Sequence, residues 1–111
     1  MLFVTEQRMT PRFKLKIPFL FSMMNSPLDC GHTATTLNIS RRGVFFETEH
    51  PLFVGLPVRL LLRMPSECSG TPAMRIVMTG RVSRVAAKWR GHGGSGVGVE
   101  FFYSEPFDRR V

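Results

Sequence analysis

The chain has 111 residues, of which 43% are hydrophobic and 21% charged. That is room for one domain with a modest core, and it excludes a disordered chain. Fifteen Lys and Arg against eight Asp and Glu give a net charge of +7, which either serves solubility alone or favours an anionic partner: a nucleotide, a nucleic acid, an acidic protein or a membrane surface. No apolar run reaches the roughly 18–20 residues of a membrane-spanning helix; residues 15–24 are interrupted by Lys16 and Pro18, so no membrane insertion is expected. The first residues lack the layout of a secretion signal. Two cysteines, Cys30 and Cys68, suit free thiols in a reducing cytosol better than a disulfide scaffold. The expected location is the cytoplasm.

Residues 1–11 have few apolar side chains at any regular spacing and are expected to form a flexible N-terminal strap. Phe13, Leu15, Ile17 and Phe19 then alternate with Lys14, Lys16 and Pro18, the period of a strand with one buried face. Residues 33–39 and 43–48 are rich in β-branched and apolar side chains and are bounded by Gly, Asn or Ser, which predicts two more strands. Val58, Leu60, Leu62 and Met64 alternate with Arg59, Leu61 and Arg63 in a fourth. The fifth, 73–85, changes its apolar parity at Gly80 and predicts a bulge or bend there.

A glycine-rich loop over 86–96 follows. It holds Trp89, the single tryptophan, which either anchors a partner or folds back onto the domain. Val97, Val99, Phe101 and Tyr103 mark the last strand, and Ser104, Glu105 and Pro106 then carry the signals of a capped helix start. About six short strands without covering helices predict an all-β, six-stranded antiparallel barrel, because closing the sheet removes its edges. The barrel is expected over 12–103, with a short C-terminal helix or tail over 104–111.

Enzymatic and metal chemistry find little support. The carboxylates show no pair with a spacing that argues for acid–base work. Cys30, His32, His50, Cys68 and His92 lack the CxxC or HxxxH spacing of metal ligands, so they read as loop histidines and semi-buried thiols. No catalytic residue, metal or cofactor is expected. The glycines over 91–98 lead into a strand rather than a helix, and therefore connect two strands instead of forming a dinucleotide fingerprint.

Two short motifs remain. Arg8-Met9-Thr10-Pro11-Arg12 is an RxxxR just before the first strand, and Asn38-Ile39-Ser40-Arg41-Arg42-Gly43 is an NxSxxG joining the second and third. In this order and placement they resemble the PilZ domain family. The resemblance continues through Gly43-Val44-Phe45, Leu52, Gly55, Val58-Arg59-Leu60, Met64-Pro65, Gly80-Arg81-Val82 and Gly96-Val97-Gly98-Val99-Glu100-Phe101. It implies a PilZ-like barrel and a ligand, the bacterial second messenger cyclic di-GMP, bound by Arg8, Arg12, Asn38, Ser40 and Gly43, with Arg41 and Arg84 as further candidates.

The residue types suit that ligand, a dianion with two guanines. An arginine fork grips a phosphate or a guanine edge, and its flat face stacks on a purine. Pro11 keeps the segment between Arg8 and Arg12 extended. Asn38 and Ser40, two apart, share one face of a strand and offer both donors and acceptors; family members often carry Asp at the position of Asn38. Gly43 permits a positive φ or close ligand approach. Arg41 and Arg42 add phosphate attraction or plain surface charge.

No output domain is expected within these 111 residues. The resemblance therefore implies a receptor that signals to a separate effector protein when its strap orders; a homodimer stays open, and no DNA or RNA partner is expected. One rival is a PilZ-like interaction module of pilus or motility assembly that binds no nucleotide. Another is a basic barrel for single-stranded nucleic acid. That rival calls for exposed aromatics interleaved with arginines, whereas most phenylalanines here fall at core parity.

Overall fold

The computed structural model describes residues 13–25, 31–66, 70, 74–87 and 94–107. Six strands are formed: β1 (Pro18–Met23), β2 (His32–Ile39), β3 (Gly43–Thr48), β4 (Pro57–Met64), β5 (Met74–Ala86) and β6 (Ser95–Pro106). All neighbours are antiparallel, and the ring order β1-β2-β3-β6-β5-β4 closes through β1 and β4 into the expected barrel. Closure leaves no strand edge along the ring to recruit another chain.

Alternation decides which side chains fill the interior. Phe19 and Phe21 from β1, Val44 and Phe46 from β3, and Val58, Leu60, Leu62 and Met64 from β4 enter one core with Ile39, Met78, Val82, Val97 and Val99. Phe19 meets Phe46 edge-on at 5.0 Å, and Phe21 lies 5.3 Å from Phe46, the offset geometries that aromatic quadrupoles favour.

The barrel turns its corners at bulges. Leu37 is the extra residue where β2 meets β3, Phe102 where β6 passes the Thr79/Gly80 step, and Ser83 where β5 passes Gly98 and Val99. The shift at Gly80 is the bulge expected from its change of parity. The β6 backbone also presses on it there: a Cβ on Gly80 would lie 2.5 Å from the Glu100 carbonyl oxygen.

Two expectations are corrected. The regular first strand begins at Pro18 and not at Phe13. Phe13, Leu15 and Ile17 still pack against the core, but Thr36 intervenes with its side chain, accepting from the Ile17 N–H and donating to the Leu15 carbonyl. A hydroxyl thus replaces part of the ladder. The expected helical turn after Ser104 is also absent over the described residues, since Ser104, Glu105 and Pro106 continue β6 opposite Met78, Val77 and Ile76. Capping signals are local and modest; the ladder positions open on the far side of β5 from β4 outweigh them.

Two of the three histidines read as loop residues meet. His32 opens β2 opposite Phe21, and its ring stacks on that of His50 at 3.8 Å. Partial burial, and then the neighbouring His32, hold His50 below the usual imidazole range. An imidazole whose folded pKa is depressed makes the unfolded chain the better proton acceptor below about pH 6.5. Stability is therefore complete above that pH and declines as the pH falls toward the folded value. The melting temperature should drop between pH 7.5 and 5.5, and His50→Gln should flatten that slope; equal slopes for both proteins would exclude His50 as its source.

Candidate functional site

The segment joining β2 to β3 is a tight turn built from its own side chain. The Ser40 Oγ accepts from the Arg42 N–H at 3.1 Å, and the Ser40 N–H donates to the Gly43 carbonyl at 2.9 Å. Ser40 is buried while Arg41 and Arg42 are exposed. Having accepted one bond, the hydroxyl keeps its own proton and a second lone pair.

This turn is backed by the last strand. The Phe101 N–H donates to the Arg42 carbonyl at 2.8 Å, and Gly43 pairs with Glu100. A Cβ on Gly43 would stand 2.5 Å from the Val99 carbonyl oxygen. The glycine is required here by a backbone, and it does not have the positive φ that was one of the two roles its place in the motif suggested; among the described glycines only Gly55 and Gly70 do.

Asn38 lies half-buried at the β2 bulge, opposite Phe45. Val44 and Phe46 enter the core, so alternation places Phe45 on the outer wall. Phe45 in turn faces Gly98 of β6, and Gly98 faces Arg84 of β5. One row across four strands thus joins Asn38, Phe45, Gly98 and Arg84. Because Gly98 has no side chain, Arg84 reaches past it and lays its guanidinium 5.0 Å from the Phe45 ring centre. An arginine so placed is held over an aromatic face, and among the described residues Arg84 is exposed and has no hydrogen-bond partner.

Phe45 and Gly98 are therefore part of the candidate surface and were not recognised as such from the sequence. Their signal was a phenylalanine out of core parity between Val44 and Phe46, opposite a residue without a side chain. Arg84 is brought into line with Asn38, which Ile39 joins to the Ser40 turn. Arg8 and Arg12 lie outside the described residues, as do Trp89, Cys30 and Cys68. The residue that follows Arg12 is placed, however: Phe13 exchanges two backbone bonds of 2.9 Å with Ile39, between Asn38 and Ser40.

Arg75 lies over Phe107 at 4.9 Å and Arg81 over Phe102 at 5.3 Å, so guanidinium–aromatic stacking recurs along β5. Among the described residues no group of three potential metal ligands occurs.

No curated protein sequence matches the chain significantly. Among solved structures, the Bacillus subtilis inhibitor of motility MotI/DgrA superposes with a TM-score of 0.69 at 16% identity, covering 88% of this chain and 44% of that one. The chain thus spans less than half of the length of that protein, and at such identity the likeness shows a shared fold. The PilZ domain family matches residues 6–110, and with the closed six-stranded barrel and the Asn38–Gly43 turn in place, the chain belongs to that family.

Proposed function

We propose that the protein is a cytoplasmic receptor for cyclic di-GMP, bound by Arg8 and Arg12 together with Asn38, Ser40, Gly43 and Arg84, with Arg41 adding phosphate attraction. The observation that carries the reading is the Phe13–Ile39 bridge. It fastens the residue after Arg12 to Ile39, between Asn38 and Ser40, which supports a shared surface for two sequence signals that are separate along the chain. Arginine forks on guanine edges contribute roughly 1–3 kcal/mol each, and Arg84, stacked on Phe45, is preoriented to receive a purine.

The receptor acts as an adaptor without catalysis, passing the signal to a separate effector protein. Motility control is the output to examine first, given what the structural neighbour is called. Calorimetric titration tests the reading directly. Saturable binding of cyclic di-GMP, with none of GTP or single-stranded RNA, is expected; no heat with cyclic di-GMP, or equal binding of RNA, rejects it.

A second measurement separates base reading from turn building. The Ser40 hydroxyl closes its own turn, so Ser40→Ala removes both a structural bond and a polar group that can face guanine. If Ser40 reads the base, affinity for cyclic di-GMP falls far more than affinity for its adenine analogue. Equal losses assign the hydroxyl to the turn alone.

A further inference from the structure

The outer wall made by β1, β4 and β5 carries an open groove of about 380 Å³, lined among others by Pro18, Leu20, Leu61, Arg63 and Arg75. In the ring order the β1–β4 seam lies opposite the β3–β6 seam, so this face points away from the Ser40 turn. Val58, Leu60, Leu62 and Met64 enter the core, which turns Leu61 and Arg63 outward. Leu20, Leu61 and Val77 form one apolar row across the three strands, and Arg63 faces Arg75 directly in the adjacent row.

Two features make this wall more than incidental surface. Like charges directly opposite on neighbouring strands repel, yet Arg63 and Arg75 are both exposed and form no ion pair among the described residues. Arg75 is moreover held by its stack on Phe107, a contact through the face of the guanidinium that leaves its N–H fork unpaired among the described residues. A carboxylate bridging the two forks would relieve the repulsion and form charge-assisted bonds.

We infer that this groove is the docking site for an extended segment of a partner protein in which a leucine-like side chain is followed, two residues on, by Asp or Glu. The two rows are about 7 Å apart, two residues along a strand, which is also the spacing of residues i and i+2 in an extended peptide. The apolar anchor lies on Leu20 and Leu61, and the carboxylate meets Arg63 and Arg75. The inference does not depend on nucleotide binding, because the groove and the Ser40 turn lie on opposite sides of the barrel.

Fluorescence anisotropy with a labelled octapeptide of alternating leucine, serine and glutamate tests it, beside the same peptide with lysine for glutamate. The acidic peptide should bind about tenfold or more tightly than its lysine counterpart, and Arg63→Glu with Arg75→Glu should remove a similar factor. Leu61→Ser should weaken it as well. The same charge reversal at Arg41 and Arg42, across the barrel, should leave peptide binding unchanged, with circular dichroism confirming that every variant is folded. Equal losses from both charge reversals would reduce the effect to net charge and overturn the proposal. Tighter binding of oligouridine or of phosphatidylglycerol vesicles than of the peptide would overturn it too. So would concentration-dependent dimerisation that the Arg63 and Arg75 reversals abolish, which would assign the groove to a second copy of this chain.

Discussion

Alanine at both Arg8 and Arg12 is expected to weaken cyclic di-GMP binding by about 2–4 kcal/mol while the melting temperature stays unchanged. The figure is the middle of the range spanned by one bidentate arginine–guanine contact, roughly 1–3 kcal/mol, together with one cation–π stack, roughly 0.5–2 kcal/mol. At about 1.4 kcal/mol per factor of ten, the dissociation constant rises by one to three orders of magnitude, well within the range of calorimetry. The barrel itself should be untouched, because the chain is fastened at Phe13, after both arginines, by its bridge to Ile39. Unchanged affinity in the double variant would remove the strap from the proposed site. A lost melting transition would instead show that these arginines serve the fold.

At the candidate site, the largest expected effect on stability comes from Gly43→Ala. The new Cβ would meet the Val99 carbonyl oxygen at 2.5 Å, with the Val99 carbonyl carbon and Glu100 Cα next nearest. Backbone atoms cannot rotate away as a flexible side chain can, so the β3–β6 pairing must open. Overpacking of this kind costs about 1–3 kcal/mol, which in a domain of this size lowers the melting temperature by roughly 5–20 °C. Gly98→Ala is the matched control one row further along the same seam. Its Cβ meets only Ser83 Oγ, Arg84 Cβ and Phe45 Cδ1, at 3.5–3.8 Å, ordinary contact, and stability should stay within about 0.5 kcal/mol. Equal losses at the two glycines would mean that the seam yields, and that the closeness at Gly43 carries no special penalty.

The contrast between these glycines shows what the sequence makes legible. Composition between bounding turn residues located β3 to the residue, and period-two alternation located β4 to within one residue because it keeps a strict inward parity. The change of parity at Gly80 announced its bulge for the same reason. What failed were positions where a long-range partner overrides a local signal. Ser104-Glu105-Pro106 reads as a helix start, yet it faces Ile76, Val77 and Met78, a pairing that no window around Ser104 contains. Thr36, which supplies hydrogen bonds to Leu15 and Ile17, likewise acts across a separation that periodicity cannot see.

At the candidate site, the motif order revealed Asn38, Ser40 and Gly43, but gave no access to the cross-strand row. Arg84, Gly98 and Phe45 lie in three separate segments, and only the register of β3, β6 and β5 aligns them. Gly43 does not have the positive φ foreseen for it, and the neighbour that a Cβ there would meet is β6. Sequence can show that a β-carbon is unwelcome there; it does not show which neighbour excludes it.

The ring order also governs when the Ser40 turn can mature. β3 precedes β6 in the chain by most of the domain, yet Gly43 must find Glu100, and Arg42 must find Phe101. At synthesis rates of about 5–20 residues per second, residues 43 and 100 leave the ribosome roughly 3–11 s apart. Throughout that interval a nascent β1–β2–β3 sheet presents the edge of Gly43–Thr48, with Phe45 and Phe46 on it, to whatever else is in solution. An unpaired apolar edge of that kind is what chaperones capture and what aggregates grow from. The motif turn gains its backing only when the last strand arrives, so a polypeptide stalled before β6 would display the motif in sequence without the anchored turn.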